Sequence, residues 1–130
     1  MYEYVVKEII KVVDGDTVDI VLDLGFSVYR KERVRINRID TPESISKDPT
    51  EKKLGIEAKD YVSAWLINQK EIRIKTLKDD KYGRLLGEFY GDNDVCLSDL
   101  LVENGYAWAY DGGTKIKDFK LLLEKRKAVK

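Results

Sequence analysis

The chain has no histidine, one cysteine, no long apolar run and no net charge, and each lack removes a class of function. Without imidazole there is no Ser-His or Cys-His nucleophilic pair and no His-ligated zinc. Any catalysis falls to carboxylates, arginines or a metal held by oxygen. Cys96 cannot form an internal disulfide, so the chain can live in a reducing compartment. Its opening residues, Tyr2-Glu3-Tyr4-Val5-Val6-Lys7-Glu8, interrupt apolar side chains with charge. That pattern gives neither a secretory core nor a membrane span, and a cytoplasmic protein without a membrane partner is expected. With 24 basic and 24 acidic residues, general attraction to a polyanion is not implied. The charges are unevenly spread, however. Residues 115–130 carry seven basic side chains against Asp118 and Glu124, a net of +5 that leaves −5 on the rest. The tail is expected to solvate a final helix rather than grip a ligand.

What is present describes a folded domain. With 130 residues, 43% of them hydrophobic, the chain suits one domain with a single core over residues 1–130. Tyr4 to Val13 and the alternating Val18, Ile20, Leu22 and Leu24 flank Asp14-Gly15-Asp16, which reads as a hairpin whose turn calls on the left-handed torsions that Asp and Gly tolerate. Gly25 leads into a third strand, Phe26 to Ile39. Asp48, Pro49 and Glu51 fit the N-cap, first-turn and capping-box positions of a helix ending near Asn68, with an apolar stripe through Leu54, Ala58, Tyr61, Val62, Trp65 and Leu66. Glu71 to Lys75 and Leu85 to Tyr90 read as two further strands. Ser98 suits the cap of a short helix stopped by Asn104-Gly105, and Ile116, Phe119, Leu122 and Leu123 mark a last amphipathic helix. Trp65 and Trp108 read as packing residues. The predicted fold is α+β, mainly β: a five-stranded Greek-key barrel of the OB type with three helices.

Arg35 to Glu43 carries the densest chemistry. Val34, Ile36 and Ile39 offer one apolar face, while Arg33, Arg35 and Asn37 alternate onto the other, so Arg35 is expected to point away from the core. Asp40, Thr41 and Glu43 then place three oxygen-bearing side chains around Pro42, an arrangement suited to a hard cation. Asp14-Gly15-Asp16 alone is more readily a turn, and Asp80-Lys81-Tyr82-Gly83-Arg84 alone a solvated loop. Together they supply carboxylates for a cation and two arginines, whose planar forks match phosphate. The combination suits phosphodiester cleavage.

Val13-Asp14-Gly15-Asp16-Thr17, Arg35 with Asp40-Thr41-Pro42-Glu43, Asp80 to Arg84, and Gly105 with Ala109-Tyr110 resemble, in that order, the motifs of the thermonuclease family typified by staphylococcal nuclease. The likeness runs over about residues 5 to 125. It implies an OB-fold barrel and a calcium-dependent nuclease that cuts DNA and RNA at the 5′ P–O bond and leaves 3′-phosphate ends. It further implies that Asp16, Asp40 and the Thr41 carbonyl ligate calcium, with Asp14 acting through water. Arg35 and Arg84 would hold the phosphate, and Glu43 would orient or deprotonate the attacking water. Lys81, Tyr82 and Tyr110 would contact the nucleotide of a substrate in which single strands are favoured, the protein acting as a monomer. The loops 44–53 and 111–114 depart from the family pattern. The alternative is a catalytically weak barrel that binds single-stranded nucleic acid or a protein partner, as OB folds also do.

Overall fold

A computed structural model describes residues 2–79, 83–113, 115 and 117–128. Five strands close a barrel: β1 (Tyr2–Asp14), β2 (Thr17–Asp23), β3 (Tyr29–Ile36), β5 (Arg73–Asp79) and β6 (Leu85–Tyr90), adjacent in the order β1-β2-β3-β6-β5. All pairings are antiparallel except β3 with β6, which run parallel and shut the barrel. This is the predicted architecture. β1 joins two walls, pairing with β2 along its length and with β5 through Tyr2 to Val5. Three register shifts against β2 let it coil, which explains why its apolar residues never alternate cleanly.

The barrel is filled from alternate positions: Val18, Ile20 and Leu22 on β2, Val34 and Ile36 on β3, Ile74 on β5 and Phe89 on β6, all buried. Helix α1 (Pro49–Asn68) packs Val62 and Leu66 against that core, and α2 (Leu97–Glu103) adds Leu97 and Leu101. Among the described residues, no helix is long and apolar enough to cross a membrane.

The structure departs from the sequence reading at several points. The third strand stops at Ile36 because Arg38 takes a left-handed φ of 68°, and Ile39–Asp40 forms a separate strand β4, paired with β7 (Trp108–Ala109). At its other end Phe26 and Ser27 also have positive φ and belong to the turn. The fourth barrel strand runs Arg73–Asp79 rather than from Glu71 to Lys75. Asp48 caps α1 by accepting from the Thr50 amide, as its type suggests, but Glu51 does not return to the Asp48 amide, which Ser46 Oγ satisfies. Ser98 is not the cap of α2. Cys96 holds that position, and the Ser98 hydroxyl donates to the Asn37 carbonyl. The final helix α3 (Phe119–Ala128) buries Leu122 but leaves Leu123 exposed.

The basic tail does more than solvate that helix. Arg126 donates to Glu57 on α1 and to the Gly105 carbonyl while lying over the Tyr106 ring, and Lys125 reaches the Val102 carbonyl. Lys115 and Lys117 approach Asp40 and Glu51. The net +5 and −5 portions of the sequence therefore meet in the fold.

Candidate active site

The β1–β2 hairpin, the β3–β4 corner and the loop into α1 converge beside one end of the barrel. The hairpin turn is Gly15-Asp16, closed by the pair Asp14 and Thr17. Neither turn residue has positive φ, so the glycine serves a purpose other than the expected left-handed torsion. A Cβ on Gly15 would stand 2.9 Å from Ala58 Cβ and 3.1 Å from the Thr41 side chain. The hairpin tip thus rests on α1 and on the very loop that follows Asp40.

Arg35 leaves β3 on the outer face of the barrel, opposite Val34 and Ile36, as alternation requires. It is nonetheless only 8% exposed. Its Nη1 donates to the Ile36 carbonyl at 2.7 Å, and its Nη2 lies 3.5 Å from Asp16 Oδ2 and 3.6 Å from Asp40 Oδ1. One guanidinium therefore spans two carboxylates contributed by separate segments. Asp14 Oδ1 accepts from the amides of Gly15 and Ser44, fixing the hairpin to the loop that carries Glu43.

The cluster is short of positive charge. Burial pushes Asp40 above the ordinary carboxylate range; Lys115 opposes that rise, Asp16 adds to it, and Arg35 opposes it. Burial likewise raises Asp14, against the Gly15 amide and with the help of Asp16. The Thr41 hydroxyl is buried with no hydrogen-bond partner. Crowded carboxylates and an unsatisfied oxygen fit a hard, oxygen-seeking cation. Among the described residues no three acidic, His or Cys groups are placed to hold a metal by themselves, so water and substrate would supply much of its shell.

Glu43 is set on a cradle built by α1. An added Cβ on Gly55 would lie 2.5 Å from Glu43 C and from Ser44 N, so this loop packs directly on the helix backbone. Beside it, Glu51 is buried and accepts from the Glu43 amide at 3.3 Å, Ser46 Oγ at 2.9 Å and Lys117 Nζ at 2.7 Å. Lys117 Nζ also stands 3.9 Å from Glu43 Oε1, whose own side chain is more than half exposed. Burial alone would raise Glu51, but those three donors bring it below its ordinary value, while Glu51 chiefly raises Lys117. The sign follows. A lowered acid contributes stability above its unfolded value of 4.5 that disappears as pH falls through the folded value. Glu51→Gln is expected to cost about 1 kcal/mol at pH 7, where charge is lost but hydrogen bonding survives. In thermal unfolding from pH 7 down to 3, the gap between the variant and the parent should close on the acid side. A gap constant with pH would mean that the charge of Glu51 is not what matters.

The register places Arg35 beside Leu86. Arg84 lies just ahead of β6, next to Leu85, which pairs with Val34. Tyr110 follows β7, its amide donating to the Arg38 carbonyl and its hydroxyl to the Gly113 carbonyl. It lines an open cleft with Arg38, Asp40, Trp108 and Lys115. Trp108 is buried, its indole donating to the Asp118 carbonyl. Lys81 and Tyr82 lie outside the described residues. Glu51, Gly55, Lys115 and Lys117 were missed from sequence. Glu51 matched a capping box, the two lysines looked like tail, and nothing in the local pattern shows what approaches Gly55.

Residues 33–130 match the family model described as Staphylococcal nuclease homologue. The chain is 29% identical over 103 residues to an uncharacterized endonuclease of Escherichia coli, covering 79% of this chain and 60% of that protein. It is 30% identical over 104 residues to the thermonuclease of Staphylococcus hyicus, covering 78% of this chain and 57% of the relative. To endonuclease YhcR of Bacillus subtilis it is 32% identical over 107 residues, 77% of this chain but 8% of that protein. The chain thus spans less than two thirds of each of these relatives. Since the match covers residues 33–130, most of the chain, and holds Arg35, Asp40 and Glu43, the chain belongs to the staphylococcal nuclease homologue family.

Proposed function

We propose that this chain is a calcium-dependent nuclease that hydrolyses phosphodiester bonds of DNA and RNA, single strands favoured, to 3′-phosphate ends. The observation that carries the reading is the Arg35 guanidinium held between the Asp16 and Asp40 carboxylates, which brings anion-binding and cation-binding groups to one point. Asp16, Asp40 and the Thr41 carbonyl would hold the cation, with Asp14 acting through water. When bound, calcium supplies positive charge against the phosphate and makes a neighbouring water more acidic. Were Asp16 and Asp40 neutralised by a cation, the Arg35 fork would be available to a phosphate oxygen, and Arg84, just ahead of β6, would join it. Two arginines then stabilise the charge that builds on the five-coordinate phosphorus. Glu43, exposed on its cradle, orients the attacking water or takes its proton. Lys81, Tyr82 and the ring of Tyr110 contact the nucleotide.

The test is incubation with single-stranded DNA in calcium and then in excess chelator, with the product ends typed. Cleavage to 3′-phosphates that stops on chelation is expected. Retention of the strand without cutting in calcium would instead favour a binding module, and cutting that persists in chelator would remove calcium from the reaction.

A further inference from the structure

Lys115 approaches the carboxylate of Asp40, one of the proposed cation ligands. Its Nζ lies 3.3 Å from Asp40 Oδ1, the same oxygen that Arg35 Nη2 approaches at 3.6 Å. The Asp40 side chain is only 6% exposed, so its carboxylate has little solvent to share with a further ion. Calcium binds oxygen at about 2.3–2.6 Å, and an ammonium resting on the same atom would be excluded both by space and by like charge. Lys115 is free to give way. Its side chain is 45% exposed, and it already lies over a second partner, the Tyr110 ring, at 5.6 Å. Lys117, by contrast, is tied to Glu51 at 2.7 Å.

We propose that Lys115 is the resident counter-ion of Asp40, displaced when a divalent cation binds, and that this exchange sets the metal affinity of the site. The idea rests on the calcium reading above. In the exchange no bond is made or broken: one ion pair is replaced by another, and the ammonium moves into the cleft beside Tyr110, where a nucleotide phosphate can take it up.

The experiment is calcium titration by calorimetry, with no nucleotide present, of the parent protein, Lys115→Met and Lys115→Arg, together with melting curves in chelator and in saturating calcium. Lys115→Met is expected to bind calcium about fivefold more tightly, the scale of a partly exposed ion pair, and Lys115→Arg to resemble the parent. In chelator the Met variant should melt below the parent, and saturating calcium should close the difference, because ligand binding to the folded state restores what the ammonium supplied. Equal or weaker calcium binding by the Met variant overturns the proposal, as does a melting deficit that persists in saturating calcium, which would mark a lysine that only anchors its loop. If neither parent nor variant takes up calcium, the metal reading itself falls and the exchange with it.

Discussion

Arg35→Ala is expected to lower kcat on single-stranded DNA by about 10²- to 10³-fold, the cost of removing one oriented donor from developing charge, or about 3–4 kcal/mol. The barrel should survive, because the neighbours that fill it from β3 are Val34 and Ile36, both fully buried on the opposite face. Stability should nonetheless fall in chelator, since the substitution leaves Asp16 and Asp40 facing each other without the guanidinium between them. Added calcium should recover more stability for the variant than for the parent. Arg35→Lys separates charge from shape: an ammonium keeps the charge but lacks the planar fork whose two nitrogens serve the Ile36 carbonyl and the carboxylates, so most of the loss should remain. Single-turnover cleavage rates with melting curves decide the matter. Rates equal to the parent's in a folded Arg35→Ala protein would break the phosphate assignment.

Gly55→Ala should have an effect of similar size by another route. The new methyl would meet Glu43 C and Ser44 N at 2.5 Å and Glu43 O at 2.7 Å, all main-chain atoms that no rotamer change can move aside. Either the loop or the start of α1 must shift, and overpacking of this kind costs about 1–3 kcal/mol. Since Glu43 rides on that loop, a displacement of about 1 Å should lower kcat about 10²-fold. The helix itself should gain slightly from alanine, about 0.5–1 kcal/mol. A variant more stable than the parent and fully active would therefore show that the loop yields freely and that the cradle does not position Glu43.

The barrel was legible because its signals are periodic. Val18, Ile20 and Leu22 alternate, Leu85 to Tyr90 was bounded correctly, and Asp48-Pro49 marks the start of α1. Residues whose job is set by a distant partner were harder to read. Arg38 breaks a strand without being glycine, and its side chain pairs with Glu88 and Asp99 far along the chain. Glu51 satisfies a local rule and follows a tertiary one, serving the Glu43 amide eight residues behind it and Lys117 far ahead. Gly15 suited a turn, yet the constraint comes from Ala58 and Thr41. At the site, Asp16, Arg35 and Asp40 were found as motif residues, and the structure brings them together. The lysines that complete their surroundings belong to no motif, because any ammonium at the right end of a loop would serve.

Lys115, Lys117 and Arg126 join the acidic groups of the loop and α1 from the final stretch of the described chain. Synthesis runs from the other end. A nascent polypeptide can close its barrel while Asp40 and Glu51 still await their ammonium partners, so the acidic site is completed only after the barrel.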